Sequence, residues 1–566
     1  MNAYINGLHF NNLRGDIYGG LTAAVVALPL ALAFGVSSGA GPIAGVYGAI
    51  FVGFFAAIFG GTPAQVSGPT GPMTVVMAAI FTQYTSMYPE SPATGAALAF
   101  TVVMMGGLLQ IVFGMLRLGK FINLVPHPVV SGFMSGIGVI IILLQLGPLL
   151  GHAAASGPVA AAQALPGFVA NIQSPALILG LLALVIVYFL PKSIAKLVPS
   201  PLFALIVGTL VLYLYSGGEI INLLVGGKEI ATMGGTAILG PIPTGMPSPQ
   251  FPTFEMALLG EMLKSAIILA VLGAIDSLLT SLVADNITRS HHKSDRELIG
   301  QGIGNTFAGL FGGLPGAGAT MRTVVNVRAG GLTPLSGALH AVVLLAIMLG
   351  AGAFAMYIPH AILAGILVKV GTDIIDWDYL KHLKDAPKAG VIMMFTVLFI
   401  TVFIDLITAV GIGMVMASMV FMNRMSNLQL ASIQALTAPS SELPLSEEET
   451  HILGSAEGKI LLFHIGGVMS FAAANGMSKR FSEFKTHKVV ILDLSVVPQI
   501  DYTSSRAIND MITDTHVAGR KLLLCGARPQ VIKMLEKQRV MQRIDSSDRF
   551  ATRGEAMQRA AALLSH

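Results

Sequence analysis

Between Ile17 and Met422 the chain returns repeatedly to apolar stretches of nearly the length that crosses a lipid hydrocarbon layer. That layer is about 30 Å thick, which takes about 20 helical residues. The clearest runs are 17–36, 43–59, 94–116, 129–150, 176–190 and 201–214. A second series follows at 265–283, 298–311, 335–356, 358–370, 389–404 and 406–422. Two further apolar segments, 69–81 and 319–327, are short and broken by glycine and proline. Together they predict a polytopic α-helical membrane protein of about fourteen segments. Composition excludes a string of soluble domains, because only 11% of residues are charged, against about 25% in soluble proteins. The 64 glycines suit close helix packing in lipid. The first run is too long for a signal-peptide core and has no cleavage signature after it, so it reads as a retained anchor.

The net charge of +4 is small, and the basic residues are scattered through short loops. That pattern argues against a nucleic-acid partner. Arg117, Lys120, Lys192, Lys196, Arg289, Lys293, Arg296, Lys381, Lys384 and Lys388 fall in loops of one side. The stretches 82–92 and 151–175 on the other side hold no Lys or Arg; Lys228 and Lys264 are exceptions. The positive-inside rule then puts both ends of the membrane region in the cytosol. Cys525 is the one cysteine, so no intramolecular disulfide can form.

The two interrupted segments point to a binding site, since short broken spans at matching places in two halves mark one in transporters. They also match in sequence. Met73-Thr74-Val75-Val76 parallels Arg322-Thr323-Val324-Val325, and each follows a stretch rich in Gly, Pro or Ala. An inverted repeat is the reading adopted over chance similarity. A helix that starts at mid-membrane aims unsatisfied N–H groups and its positive dipole end at whatever precedes it. Two such starts facing each other can bind an anion. Thr70, Gly71, Thr320 and Met321 sit at these starts, and Arg322 offers a fork suited to an oxyanion. These five residues are the candidate substrate site.

Asp276 lies within an apolar run and is costly there unless it is used. It either forms a structural salt bridge with Arg322 or binds a coupling cation, Na⁺ or H⁺, with Thr280 one helical turn on. The cluster His291, His292, Asp295 and Glu297 reads as solvated loop charge. Asn305 and His340 read as interhelical hydrogen-bonding residues.

Beyond Met422 the character changes. Residues 440–450 are acidic and aperiodic and read as a linker. Strand-like stretches at 459–465, 489–494 and 521–525 alternate with helices at 501–516 and 529–538, which predicts a small α/β domain. The expected division is therefore 1–16 as an N-terminal cytosolic segment, 17–425 as the transport domain, 426–450 as linker and 451–566 as the cytosolic domain. Cys525 on a strand reads as a core residue.

Several of these motifs resemble one family. GQGIGNTFAGLFGG (300–313), GAGATMRTVVN (316–326), RAGG (328–331), GPTGPMTVVMA (68–78), SGFMSGIGVII (131–141) and LVKVGTDIIDW (367–377) are similar to the sulfate permease family, the bacterial counterpart of solute carrier family 26. VVILDLSVVPQIDYTSS (489–505) resembles the STAS domain that such proteins carry. The resemblance implies seven-plus-seven inverted repeats divided into a mobile core and a gate, a homodimer in the inner membrane, and anion transport. Within the family the likeness is greatest to sodium-dependent bicarbonate carriers of cyanobacteria. Their cation site corresponds to Asp276, Thr280, Gly318, Ala319 and Thr320, and their anion site to Thr70 and the facing half-helix. Those carriers have glycine in place of Arg322 and glutamate in place of Gly68. Arg322 is an arginine that the wider family shares, and its members carry sulfate, chloride or dicarboxylates.

The expectation is a secondary active symporter of bicarbonate or sulfate with no cofactor beyond a bound Na⁺. The alternatives are a proton-coupled sulfate or dicarboxylate carrier and an anion channel or sensor. A nucleobase permease fits poorly, because a carboxylate pair for the base edge is missing near Thr70 and Thr320. No nucleophile–base arrangement suggests an enzyme. Lipid is the surrounding partner, and a cytosolic regulator could act on the STAS-like domain. Thr503 and Ser504, with Ser505, follow Asp501 where a regulatory phosphate would meet a helix start; helix capping by Asp501 or Thr503 is the favoured reading.

Overall fold

The computed structural model describes residues 6–120, 126–155, 157–195, 198–225, 228–240, 248–404, 406–441, 443–469, 471–484 and 486–565. Lys196, one of the loop charges above, lies outside them. The chain forms two compact units, 1–414 and 415–566.

The first unit repeats one order of elements. Helices Leu13–Ser37 and Pro42–Phe59 lead to a two-residue strand, Ser67–Gly68, that opens the helix Gly71–Met87. Pro92–Met115, His127–Leu149, Ser174–Phe189 and Ser200–Ser216 complete the first half. The second half runs Leu259–Thr288, Ser294–Leu310, strand Ala317–Gly318 opening helix Thr320–Arg328, then Pro334–Ala351, His360–Ile374, Lys388–Phe403 and Leu406–Ala431, whose residues from 415 on belong to the second unit. This is the seven-plus-seven arrangement. Among the described residues six helices are long and apolar enough to span a membrane alone. The pair Pro158–Ala170 and Ser174–Phe189, bent by 117°, could make a seventh. Several remaining segments are shorter apolar helices or half-helices.

The helices sort into two packed groups. The first pair of each half, the fourth segment of each half and both half-helices form one group, the core. Small residues let its backbones touch: a Cβ at Gly107 would lie 2.5 Å from Thr306 N, and one at Gly302 would lie 2.6 Å from Gly107 O. His127–Leu149, Ser174–Phe189, Ser200–Ser216, His360–Ile374 and Lys388–Phe403 pack as the second group, the gate. There a Cβ at Gly138 would lie 2.5 Å from Gly371 O. Side chains of any size at these positions would separate the helices, which is why glycine is so common in this half-polar, lipid-facing fold.

Three stretches differ from the sequence reading. The outer stretch 151–175 contains the helix Pro158–Ala170, started by a proline whose missing N–H costs nothing in a first turn. Ile220–Val225, Lys228–Met233 and Thr236–Ala237 form a three-stranded antiparallel sheet that hydropathy alone did not indicate. The expected linker 426–450 is largely ordered. The last membrane helix continues to Ala431, Ile433–Leu436 is an edge strand, and Glu447–Ser455 is a helix held by a capping box between Ser446 and Glu449. Acidic residues at a helix start are favourable, so the acidity that suggested a linker belongs to a helix N-terminus.

The second unit is an α/β domain with a five-stranded sheet. Ile433–Leu436 runs antiparallel at one edge; Ile460–Gly466, Val489–Val496, Lys521–Cys525 and Arg549–Phe550 follow in parallel. The strands alternate their faces, as the two-residue repeat requires. Leu461, Phe463 and Ile465 pack with Ile508, Met511 and Leu535 on one side. Ile460, Leu462 and Cys525 pack with Leu453, Ala556 and Met557 on the other. Cys525 is thus a core residue, and burial pushes its thiol pKa up.

Candidate functional site

The two chain breaks meet. Strand Ser67–Gly68 pairs antiparallel with Ala317–Gly318, Ser67 opposite Gly318 and Gly68 opposite Ala317. Each helix then starts from an extended residue, Thr70 (φ −121°, ψ 162°) and Ala319 (φ −102°, ψ 104°), and no side chain caps either start. Thr70, the residue placed to cap the first half-helix, gives its hydroxyl elsewhere. It donates to Asp276 Oδ2 at 2.7 Å. The first-turn N–H groups of both half-helices are therefore left for another acceptor.

A cavity of about 240 Å³ lies at these starts. Its walls include Thr70, Gly71, Asp276, Thr320, Met321 and Arg322; Gly318 and Ala319 also line it. All five predicted substrate residues and four of the five predicted cation residues thus border one space. Arg322 is 2% exposed. Its Nη2 donates to Pro69 O at 2.5 Å, while Nη1 is buried with no hydrogen-bond partner among the described residues. Met321, in contrast, is exposed, so its side chain contributes a wall and its backbone the helix start.

Thr280 lies one turn after Asp276 on helix Leu259–Thr288. Thr280 Oγ1 lies 2.9 Å from Gly318 O, to which it donates, and 2.8 Å from Thr320 Oγ1. Gly318 N donates to Ser277 Oγ at 3.1 Å. Carboxylate, hydroxyl and carbonyl oxygens are the ligands that a hard cation takes, so this donor set fits Na⁺. Among the described residues Asp276 and Arg322 form no ion pair within 4.0 Å. Asp276 is held by Thr70 and Arg322 by Pro69 instead.

Behind the strands lies a polar network that the sequence reading misplaced. Glu297 is 1% exposed, not a solvated loop charge. Its carboxylate accepts from Gly61 N (2.8 Å), Thr62 N (2.9 Å), Gln65 Nε2 (2.8 Å) and Gln301 Nε2 (2.7 Å). Its nearby companion His292 bonds Asp285 and Ser294, and among the described residues no His/Cys/Asp/Glu group could hold a metal ion. Asn305 spans helices as expected, donating to Gln110 and Gly316 O and accepting from Gly316 N. It thereby fixes the loop that leads into the second half-helix. His340 is buried beside Gly53. Asp16 accepts from Leu332 N, Thr333 N and Thr333 Oγ1, tying the first helix to the loop after the second half-helix.

The gate side of the cavity carries one further charged pair. Asp373 lines it, and Lys369, one turn back on His360–Ile374, forms an ion pair with Asp373. Two opposite charges four residues apart at the end of an apolar run were the signal for them.

In the second unit Asp501 caps the helix Tyr502–Val517, accepting from Ser504 N at 2.7 Å. Thr503 is exposed, whereas Ser504 is fully buried with its hydroxyl in the interior. The two residues named for regulation are thus in opposite environments, and only Thr503 is open to modification.

Fold and site together define a class: a multi-pass membrane transporter of anions, built as an inverted repeat with a C-terminal α/β domain. Comparison with known proteins gives the family. The model of the sulfate permease family matches residues 13–397, and that of the STAS domain matches 455–556. The bicarbonate transporter BicA of Picosynechococcus sp. is 44% identical over 556 residues, covering 98% of this chain and 96% of that one. The solved transmembrane domain of a cyanobacterial bicarbonate transporter BicA has a TM-score of 0.65 at 49% identity, covering 72% of this chain and 100% of that one. Murine solute carrier 26 family member A9, solved in an inward-facing state, has a TM-score of 0.79 at 18% identity over 98% of this chain and 92% of its own, a likeness of fold. The chain belongs to the sulfate permease family.

Proposed function

We propose that the protein is a secondary active carrier of a small inorganic oxyanion, with bicarbonate as the substrate and Na⁺ as the coupling ion. The observation that carries the oxyanion part of this reading is Arg322 Nη1, a buried cationic donor without a protein partner among the described residues, at the junction of two uncapped helix starts. A buried guanidinium hydrogen left unmade is costly, and an anion oxygen satisfies it together with the first-turn N–H groups. Bicarbonate is favoured because two relatives 44% and 45% identical over nearly the whole chain bear that name, whereas a relative named as a putative sulfate transporter and alike over a similar length is 29% identical.

Asp276, Thr280, Thr320 and the Gly318 carbonyl would hold the sodium ion beside the anion. Cation and anion then bind to the same two breaks, and each lowers the electrostatic cost of the other. Thr70 links the two sites directly, since it sits at the anion-facing helix start and bonds Asp276. Alternating access follows if the core moves as a body past the gate, exposing the cavity first to one side and then to the other. The basic loops support placing the inner face in the cytosol.

A second reading, proton-coupled carriage of sulfate or a dicarboxylate, draws on Arg322 itself, whose charge also suits a dianion. Purified protein in liposomes decides between them. Sodium-stimulated uptake of labelled bicarbonate, abolished in Asp276→Ala and Arg322→Ala, is the expected result. Sulfate uptake indifferent to sodium would replace the first reading with the second.

A further inference from the structure

We propose that Asp373 is a specificity-determining residue that accepts a hydrogen bond from the substrate's own hydroxyl, selecting a monoprotonated oxyanion over oxyanions that carry no hydrogen. The proposal rests on the oxyanion reading above and deepens it.

The cavity offers an anion donors on one wall and an acceptor on the other. The donor wall is formed by Arg322 and the first-turn N–H groups of the two half-helices. On the gate wall Val370, Asp373 and Ile374 face the same space. A carboxylate opposite an anion site is repulsive unless something lies between the two charges. A hydroxyl hydrogen on the anion is such a group. Hydrogencarbonate has one; sulfate at neutral pH, nitrate and chloride have none.

The carboxylate is held for this role. Asp373 is exposed: its Oδ1 is paired to Lys369, and its Oδ2 accepts no hydrogen bond from the described residues. Lys369 is itself fixed away from the cavity, with its Nζ 5.2 Å from the Tyr188 ring centroid. Tyr188 Oη lies 2.6 Å from Thr372 Oγ1, and Trp377 Nε1 donates to Thr372 O at 2.7 Å, which fixes the end of the gate helix. Lys369 offsets the charge of Asp373 and leaves Oδ2 open. Movement of the gate toward the half-helices would bring that oxygen onto the bound anion. With the gate closed and water excluded, a site that hydrogen-bonds a substrate hydroxyl rejects analogues lacking it, because its own polar group is then left unpaired.

Nitrate provides the test, being planar and singly charged like hydrogencarbonate but without a hydrogen. Uptake of labelled bicarbonate by the full-length protein in liposomes is measured against increasing nitrate. In the parent protein nitrate is expected to compete poorly. In Asp373→Asn the ratio of nitrate inhibition constant to bicarbonate KM should fall about ten-fold, on the scale at which one hydrogen bond discriminates. Asp373→Glu, which keeps the acceptor, should retain most of the discrimination. If Asp373→Asn does not reach the membrane, the double variant Lys369→Met, Asp373→Asn removes both charges and takes its place. A merely structural role would lower uptake without moving the ratio, so an unchanged ratio overturns the proposal. Absence of saturable anion uptake in the parent protein would instead overturn the oxyanion reading itself, and the proposal with it.

Discussion

The guanidinium of Arg322 occupies the space that a side chain on Gly68 would need. A Cβ at Gly68 would lie 2.7 Å from Arg322 Nη1, and Gly68 has φ +150°, a backbone conformation that side chains disfavour. The residue on one broken strand thus fixes the position of the cation on the opposite half-helix. Gly68→Ala is expected to displace Arg322 and raise the KM for the anion about ten-fold, the equivalent of one charge-assisted hydrogen bond. The sodium dependence should persist, because Asp276 and Thr280 do not touch Gly68. Uptake kinetics at fixed and varied sodium check both halves of this expectation.

Thr280 donates to Gly318 O and lies against Thr320 Oγ1. Thr280→Val keeps the shape and removes the hydroxyl, whereas Thr280→Ser keeps the hydroxyl. Half-saturation by sodium should rise about ten-fold or more in the first and stay within about two-fold in the second. Equal effects of the two substitutions would remove Thr280 from the cation site.

Glu297 gathers four donors behind the strand Ser67–Gly68. Glu297→Gln turns one acceptor oxygen into an amide that faces those donors. Hydrogen bonds to charged groups contribute about 1.5–3 kcal/mol each, so a loss of about 3 kcal/mol is expected. It would be seen as a lowered midpoint in heating followed by size-exclusion chromatography. Uptake should fall as well, since the network positions the loop that leads to Thr70.

Ser446 and Glu449 close a reciprocal cap on the helix Glu447–Ser455. Ser446→Ala should cost about 1 kcal/mol locally. Hydrogen exchange of the full-length protein should then show faster exchange over this helix and little change over the sheet.

The STAS unit has a pH dependence of defined sign. Burial, then the neighbouring Arg520, pushes the pKa of His487 down from 6.5 to about 4. The unfolded chain binds a proton at pH values where the folded one does not. The contribution of the neutral ring is therefore complete above pH 6.5 and is lost as pH falls toward 4. Burial of Asp493 works to raise its pKa, but hydrogen bonds from His464 and Ser495 outweigh that and hold it below the usual carboxylate range. Its contribution persists above the unfolded carboxylate value and is lost only in stronger acid. Exchange protection of Val489–Val496 should decline between pH 6.5 and 4 once corrected for intrinsic rates, and His487→Gln should flatten that decline.

Much of this was legible along the chain. Apolar run length, the basic loops, the two Gly- and Pro-broken segments and the matching Thr-Val-Val tripeptides are local features, and they determined the helical membrane class, the repeat and the neighbourhood of Thr70, Thr320 and Arg322. The 2.0-residue alternation of the C-terminal strands likewise determined an α/β unit. Only the tertiary structure decided which groups meet. Asp276 stands 46 residues before Arg322 in the chain, and along the sequence a salt bridge between them and a cation site at Asp276 were both open. The fold gives each a different partner, Thr70 and Pro69, and so leaves Arg322 Nη1 to be satisfied by something else. Glu297 looked solvated because its sequence neighbours are polar, yet it is buried by residues 61–65 from the other half. The side chains of Lys369 and Asp373 acquire meaning only because the gate helix is packed across the cavity from the half-helices. Hydropathy records how each segment meets its solvent, whereas a binding site is set by which distant backbones can approach, and that is decided by packing.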